Sequence, residues 1–294
     1  MSQDPQIDGM GSRYRPRTEP IAVFGRGRIL LIAATATMAL IAYARNRPQS
    51  TPGASELANR VEITPQQEEL LGQRVTPVLA SQFGGKLPDP AITQRIDQIT
   101  RRLATQTSAS QLPFAFGVHV LADRETVNMY PLPGGQICLT TGLLDRLNSD
   151  GEIAAVLSQA MGHIARRHGL RQLWNSQLLP GVTGREVLAE INPLDRNSLE
   201  TARMQQLIRQ TTQLTYGEQE IREADQLAVG FLIQAGYDPE SLIRALESLS
   251  ETRNNGIQRV AYFDSHPTTV SRIESIRQEI ARQLPGGIPA NLMR

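Results

Sequence analysis

The sequence has one cysteine and one lysine, and each scarcity removes a class of explanation. Cys138 alone cannot build an intramolecular disulfide framework or a multi-cysteine zinc site, and it does not argue against export. Lys86 is the only lysine among 30 basic residues. Arginine favours bidentate anion contacts, but its use throughout the chain reads as compositional bias. An excess of either charge is also missing: 30 basic and 29 acidic residues are interspersed, giving a formal +1 and no basic stripe for nucleic acid. The chain carries no Gly-x-Ser-x-Gly elbow, P-loop or dinucleotide fingerprint, no repeat of fixed period and no low-complexity tract. What is present is enough apolar matter, 40% of 294 residues, to bury a substantial core.

One long apolar run stands near the start. Ile29 to Ala44 is uncharged over 16 residues, slightly short of the roughly 17 to 25 of a spanning helix, so flanking arginines would have to snorkel. Arg13, Arg15, Arg17, Arg26 and Arg28 precede it and only Arg45 and Arg47 follow closely. The positive-inside rule then places the N-terminus in the cytoplasm and the rest of the chain outside, periplasmic or otherwise extracytoplasmic. Ala42-Tyr43-Ala44 also fits a signal-peptidase site, so a cleaved signal stands beside the favoured uncleaved anchor. The expected organisation is a basic tail over 1–28, an anchor over 29–44, a linker over 45–60 and one domain over 61–294.

Within that domain the local signals are clear. Thr64-Pro65-Gln66-Gln67 predicts a capped helix start, running to about Gln82 before Gly84-Gly85 breaks it. Asp89-Pro90 opens a second helix, with Ile92, Ile96, Ile99 and Leu103 at helical spacing. Alternating Phe114, Phe116, Val118 and Val120 predict a strand over Pro113 to Leu121, and a second strand is expected over Gln136 to Thr140. Helical patterns follow over Gly151 to His168, Ser198 to Ala235, Pro239 to Leu249 and Thr269 to Leu284. The fold class is α+β, mostly helical around a small sheet.

Several separated segments, taken in order, resemble the HtpX-like, Ste-type and Oma-like zinc metallopeptidases, peptidase family M-48. Asn128, Leu132, Pro133, Gly134 and Gly135 match the family's N-A-F-A-L-P-G-G stretch, which leads there into an edge strand. Ser158 to His163 occupies the place of A-H-E-x-G-H, and Ala165 to Gly169 follows as in the family. Ile221 to Asp225 stands where the family has E-x-E-A-D, Ala235 to Pro239 reads A-G-Y-D-P, and His266-Pro267 and Arg272-Ile273 match its downstream pairs. The resemblance implies a zincin-like metallopeptidase domain.

It also implies where the chemistry has gone. In an H-E-x-x-H peptidase two histidines on one helix face and a later carboxylate hold zinc, water takes the fourth place, and the motif glutamate is the general base. Here Gln159 stands at the first histidine, Ala160 at the base and Ile221 at the carboxylate, leaving His163. A neutral amide is a poor zinc ligand and isoleucine is none, so no catalytic residue and no metal are expected. Without the base, about 10²- to 10⁴-fold in rate is lost even if a metal enters. Glu220 and Glu223, one and two residues from position 221, are rotated by about 100° and 200° from that face. His163 and His168, five apart on one helix, should diverge by about 140° and form no pair.

Each surviving residue has a plain structural reading. His163 is expected as a hydrogen-bonded remnant, His168 as a helix C-terminal histidine beside Gly169, and Asp225 as a helix salt-bridge acid. His266 either lines a cleft or caps a loop beside Pro267, and His119 has no assigned chemistry. Gly134 and Gly135 suit a tight approach to the strand, and Cys138 is a buried free thiol. The function expected is a membrane-anchored, inactive pseudoprotease that binds polypeptide, by adding a segment to the strand from Gly135 to Thr140, or regulates envelope protein quality control. An active zinc endopeptidase with an unusual ligand set and a structural subunit of an envelope complex are the alternatives.

Overall fold

The computed structural model describes residues 63–175, 199–254, 261–266 and 270–294. They belong to one compact unit, Arg60–Arg294. The apolar run 29–44 lies outside the described residues, and among those described no helix is long and apolar enough to cross a membrane.

Helix α1 (Pro65–Gln82) begins as expected: Thr64 Oγ1 accepts from the Gln67 amide at 3.2 Å while the Gln67 side chain accepts from the Thr64 amide at 2.9 Å. Helix α2 (Pro90–Gln106) is capped by Asp89, whose carboxylate accepts from Ala91 and Ile92, and it buries Ile96, Ile99 and Leu103. Strand β1 (Gly117–Leu121) is shorter than the alternation predicted; Phe114 and Phe116 precede it with ring centroids 5.9 Å apart. Strands β2 (Met129–Pro131) and β3 (Gln136–Thr140) follow, joined by a tight turn at Pro133–Gly135.

The sheet order is β1-β3-β2, with β1 parallel and β2 antiparallel to β3. This corrects the expected edge strand: β3 is central, both its ladders are taken, and Gly135 to Thr140 cannot accept an added segment. The twin glycines serve a helix instead. Gly134 and Gly135 have positive φ (65° and 85°), and a side chain at Gly134 would come within 2.3 Å of Glu69 on α1. From the helix side, one at Gly72 would meet the Pro133 carbonyl at 2.0 Å.

A short helix α3 (Thr141–Leu144) leads to α4 (Asp150–Ala165), the central helix, buried from Gly151 to Ile164. The chain then turns at Arg166 and Arg167 and restarts as α5 (His168–Asn175). After the undescribed 176–198, the long pattern to Ala235 divides into α6 (Leu199–Thr211) and α7 (Glu218–Gln234). Helices α8 (Ser241–Asn254), α9 (Tyr262–Ser265) and α10 (Val270–Gln283) complete the unit. Helices α4 and α7 are in intimate contact because Gly162 has no side chain; a Cβ there would lie 2.7 Å from the Ala224 carbonyl. The same approach sets Asp225 beside α4.

Candidate functional site

The site is built where α4, α7, α9 and α10 meet. Gln159, fully buried, donates from Nε2 to Asp225 Oδ1 at 2.9 Å and accepts a short hydrogen bond from the Tyr262 hydroxyl. Arg272 holds the same carboxylate with two nitrogens, Nε to Oδ2 at 2.8 Å and a terminal nitrogen to Oδ1 at 2.9 Å. All four side chains are buried. Asp225 is thus a salt-bridge acid, as expected, but between helices rather than along one. Burial raises the Tyr262 phenol above its usual range, so it stays a donor. Both atoms of the Gln159 amide are engaged in this network.

Ala160, one residue on, is also fully buried and carries no group that could take a proton. Ile221, at 4% exposure, lines a narrow cleft between α7 and α10 with Asp225, Arg272 and Ile276. The residues at the resemblance's ligand positions therefore offer one imidazole, one amide and one hydrocarbon. That set does not fit tetrahedral zinc, and among the described residues no group of three or more His, Cys, Asp or Glu is placed to hold a metal.

Histidines gather beside this network. His163 packs on His168, Tyr216 and His266, with ring centroids at 5.1, 4.0 and 4.9 Å, and His266 stacks on Tyr262 at 4.7 Å. His163 Nδ1 lies 3.1 Å from His168 Nδ1, and His168 Nε2 lies 3.3 Å from Glu223. The expected 140° divergence fails because it assumed one continuous helix. Helix α4 ends at Ala165, and Arg167 adopts a positive φ of 54°, which swings His168 back onto His163. Such a backbone costs about 1–2 kcal/mol in a non-glycine residue. Arg167 offsets it by binding buried Glu68 (2.6 Å) and the Ile63 carbonyl (3.1 Å).

His168 is accordingly no C-terminal histidine but the buried first residue of α5. Burial lowers its pKa, and Glu223 only partly opposes this. Glu223, turned away from position 221 as expected, finds His168 instead; Glu220 bonds Gln172. His266 closes α9 rather than capping the start of a helix, and it is fully buried. Burial pushes its pKa down to about 3, with the Arg272 charge adding to the effect. His163 is held well below its usual value by burial first and then by its charged neighbours.

His119 bonds Gln136 at 2.8 Å in the sheet, apart from this cluster. Buried Cys138 has its thiol pKa raised to about 12 by desolvation, which keeps it inert. Tyr216 and Tyr262 escaped the sequence reading, since neither lies in a motif. The sheet has two edges, β1, whose end pairs with Lys86 and Leu87, and β2, which is buried; beside β2 runs a groove of about 530 Å³ lined by Phe83, Asn128, Tyr130, Pro131, Leu214 and Ser265.

Much of the chain is similar to known proteins. The chain is 24% identical to the beta-barrel assembly-enhancing protease of Escherichia coli (strain K12) over 69% of this chain and 42% of that protein. It is 25% identical to the metalloprotease YcaL of the same strain over 64% of this chain and 70% of that protein. It is 27% identical to the mitochondrial metalloendopeptidase OMA1 of Arabidopsis thaliana over 54% of this chain and 30% of that protein. The chain spans about half the length of the first curated relatives it matches. The model of peptidase family M48 matches residues 90–280, well over half the chain, and the chain belongs to that family.

Proposed function

We propose that this protein is a catalytically inactive member of peptidase family M48 that binds polypeptides at the cell envelope. The observation that carries the reading is Gln159: it sets an amide where the family has an imidazole, and that amide joins helices through Tyr262 and Asp225. Ala160 supplies no base and Ile221 no carboxylate, so neither the metal nor its water has support. Hydrolysis by the family route then has no means to proceed. The sequence similarity to beta-barrel assembly-enhancing proteases points to envelope proteins as the bound class. The place for an extended segment is the groove beside β2, since β3 is closed on both sides.

The test is the metal content of the full chain purified without added metal. Zinc well below one per chain is expected; stoichiometric zinc retained against a mild chelator would sink the inactive reading in favour of an active endopeptidase with another ligand set. The unpartnered His163 Nε2 is the observation that favours that second reading. Failure to bind any unfolded envelope polypeptide would leave a structural subunit.

The proposal includes a tether over 29–44 with the domain outside the cytoplasm, motivated by the arginine asymmetry. Protease added to cells whose outer barrier has been opened should digest the domain. Full protection would reverse the orientation.

A further inference from the structure

Strand β2 lies at an edge of the sheet, but its backbone cannot take a further strand. Its even-numbered neighbours face β3: the Leu132 amide donates to the Gln136 carbonyl at 2.7 Å, and the Asn128 carbonyl accepts from Thr140 at 3.1 Å. By the alternation of an antiparallel ladder, Val127, Met129 and Pro131 then turn their backbone groups outward. The Val127 carbonyl is bonded by the Tyr262 amide at 2.9 Å, the Met129 amide is bonded to Asn128 Oδ1 at 2.8 Å, and Pro131 has no N–H. An added strand needs donors and acceptors in alternation, and the outer edge over Met129–Pro131 has no donor to give.

The groove beside this edge has two unlike ends. Helix α9 covers the Val127 end through Tyr262, and there Glu125 and Asp264 line the groove. The turn that carries Glu125 is fixed by Asp123, whose carboxylate accepts from the Glu125 and Thr126 amides at 2.9 and 3.0 Å. Leu214 stands at the Pro131 end: a side chain added at Gly169 would come within 3.2 Å of Leu214 and 3.8 Å of the Pro131 carbonyl. The Phe83 and Tyr130 rings, centroids 5.2 Å apart, complete the apolar part. No arginine, lysine or histidine among the described residues lines the groove, in a chain with 30 basic and 29 acidic residues. Arg124, next to Glu125, is directed to Asp145 at 4.0 Å. Burial pushes the Tyr130 phenol up to about 12, and the charge of Asp123 adds to the effect.

We propose that the groove takes the side chain of a lysine or arginine from a bound polypeptide, its aliphatic stem against Phe83, Tyr130 and Leu214 and its charged head at Glu125 and Asp264, without extending the sheet. A long cationic side chain is apolar along its stem and charged at its tip, which matches the two ends. Its head brings only donors, and the carboxylates are acceptors. Aromatic faces add an attraction for a cation that a neutral side chain lacks, and an acidic segment would meet like charge. The proposal rests on the polypeptide-binding reading above and deepens it by naming the side chain that is captured.

The test titrates the full chain into fluorescent, unstructured peptides that differ only at one central residue: arginine, lysine, glutamine or glutamate. The arginine and lysine peptides should bind about tenfold more tightly than the glutamine peptide, with glutamate the weakest. Added salt should narrow the gap. Glu125 is exposed, so its variants fold. Glu125→Gln should weaken the arginine peptide about three- to fivefold, and Glu125→Arg should favour the glutamate peptide instead. Peptides methylated on alternate backbone nitrogens, which cannot pair as strands, should bind as well as their parents. Where no short peptide binds, the same contrast is made between an unfolded polypeptide and its counterpart with every lysine and arginine replaced by glutamine. Equal affinity across the charge series, indifference to both Glu125 variants, or a loss on backbone methylation overturns the cationic side chain and leaves the polypeptide-binding reading standing. If neither peptides nor unfolded polypeptides of any charge bind, both fall.

Discussion

Gln159 shows how one residue can turn a ligand position into a structural joint. Its amide has a donor and an acceptor, and the site supplies one partner for each: the Asp225 carboxylate and the Tyr262 hydroxyl. Replacing Gln159 with alanine leaves the buried Tyr262 hydroxyl without its acceptor, at about 1–3 kcal/mol, while Asp225 Oδ1 keeps Arg272. Urea denaturation of Gln159→Ala should therefore show a loss of about 1–3 kcal/mol. Gln159→Glu should be at least as harmful, because it sets a second carboxylate against Asp225. A loss under about 1 kcal/mol in both would mean the amide does not hold the helices. Nothing in the motif foretold the tyrosine partner, which is 103 residues away.

The elements meet through charge as much as through apolar packing. Asp225 on α7 and Arg272 on α10 form a buried pair with two bonds, and Arg272 also bonds the carbonyl that ends α9. Removing one partner of a buried pair strands the other, at about 3–5 kcal/mol. Asp225→Ala should lose stability of that order and loosen α9 and α10 in hydrogen exchange before the sheet is affected. Unchanged protection in α10 would show that apolar contacts alone hold it. The turn between α4 and α5 follows similar logic: Arg167 accepts an unfavourable backbone because its guanidinium reaches Glu68 on α1. Local patterning had extended α4 to His168, since nothing in Ala165-Arg166-Arg167 discloses a partner on a helix a hundred residues earlier.

Across the whole molecule, three buried histidines make stability depend on acid. His163, His168 and His266 all have folded pKa values below the unfolded value near 6.5, His266 at about 3. The unfolded chain binds more protons in that window, so stability is full above about pH 6.5 and falls as pH drops toward the folded values. Each histidine that must charge on unfolding contributes about 1.4 kcal/mol per pH unit. Urea midpoints should decline steeply from pH 6.5 to 4.5, and His266→Gln should flatten that decline by one proton. A flat profile in the parent protein would contradict the burial of these rings.

What the sequence determined by itself is local or ordered: the capped starts of α1 and α2, β3, α8 and α10, the family, and the residues that stand at positions 159, 160 and 221. These depend on spacing, turn residues and side-chain chemistry, all readable over a few residues. Tertiary structure decided the rest. It made β3 central, because which strand flanks which is settled by long-range pairing. It brought His168 to His163 through a backbone turn whose cost is met by Glu68, and it gave Asp225 to Arg272. The reason is common to all three: a partner far along the chain leaves no mark on local periodicity, and only when the helices close around Gly162 and Gly72 do these groups come within hydrogen-bonding distance.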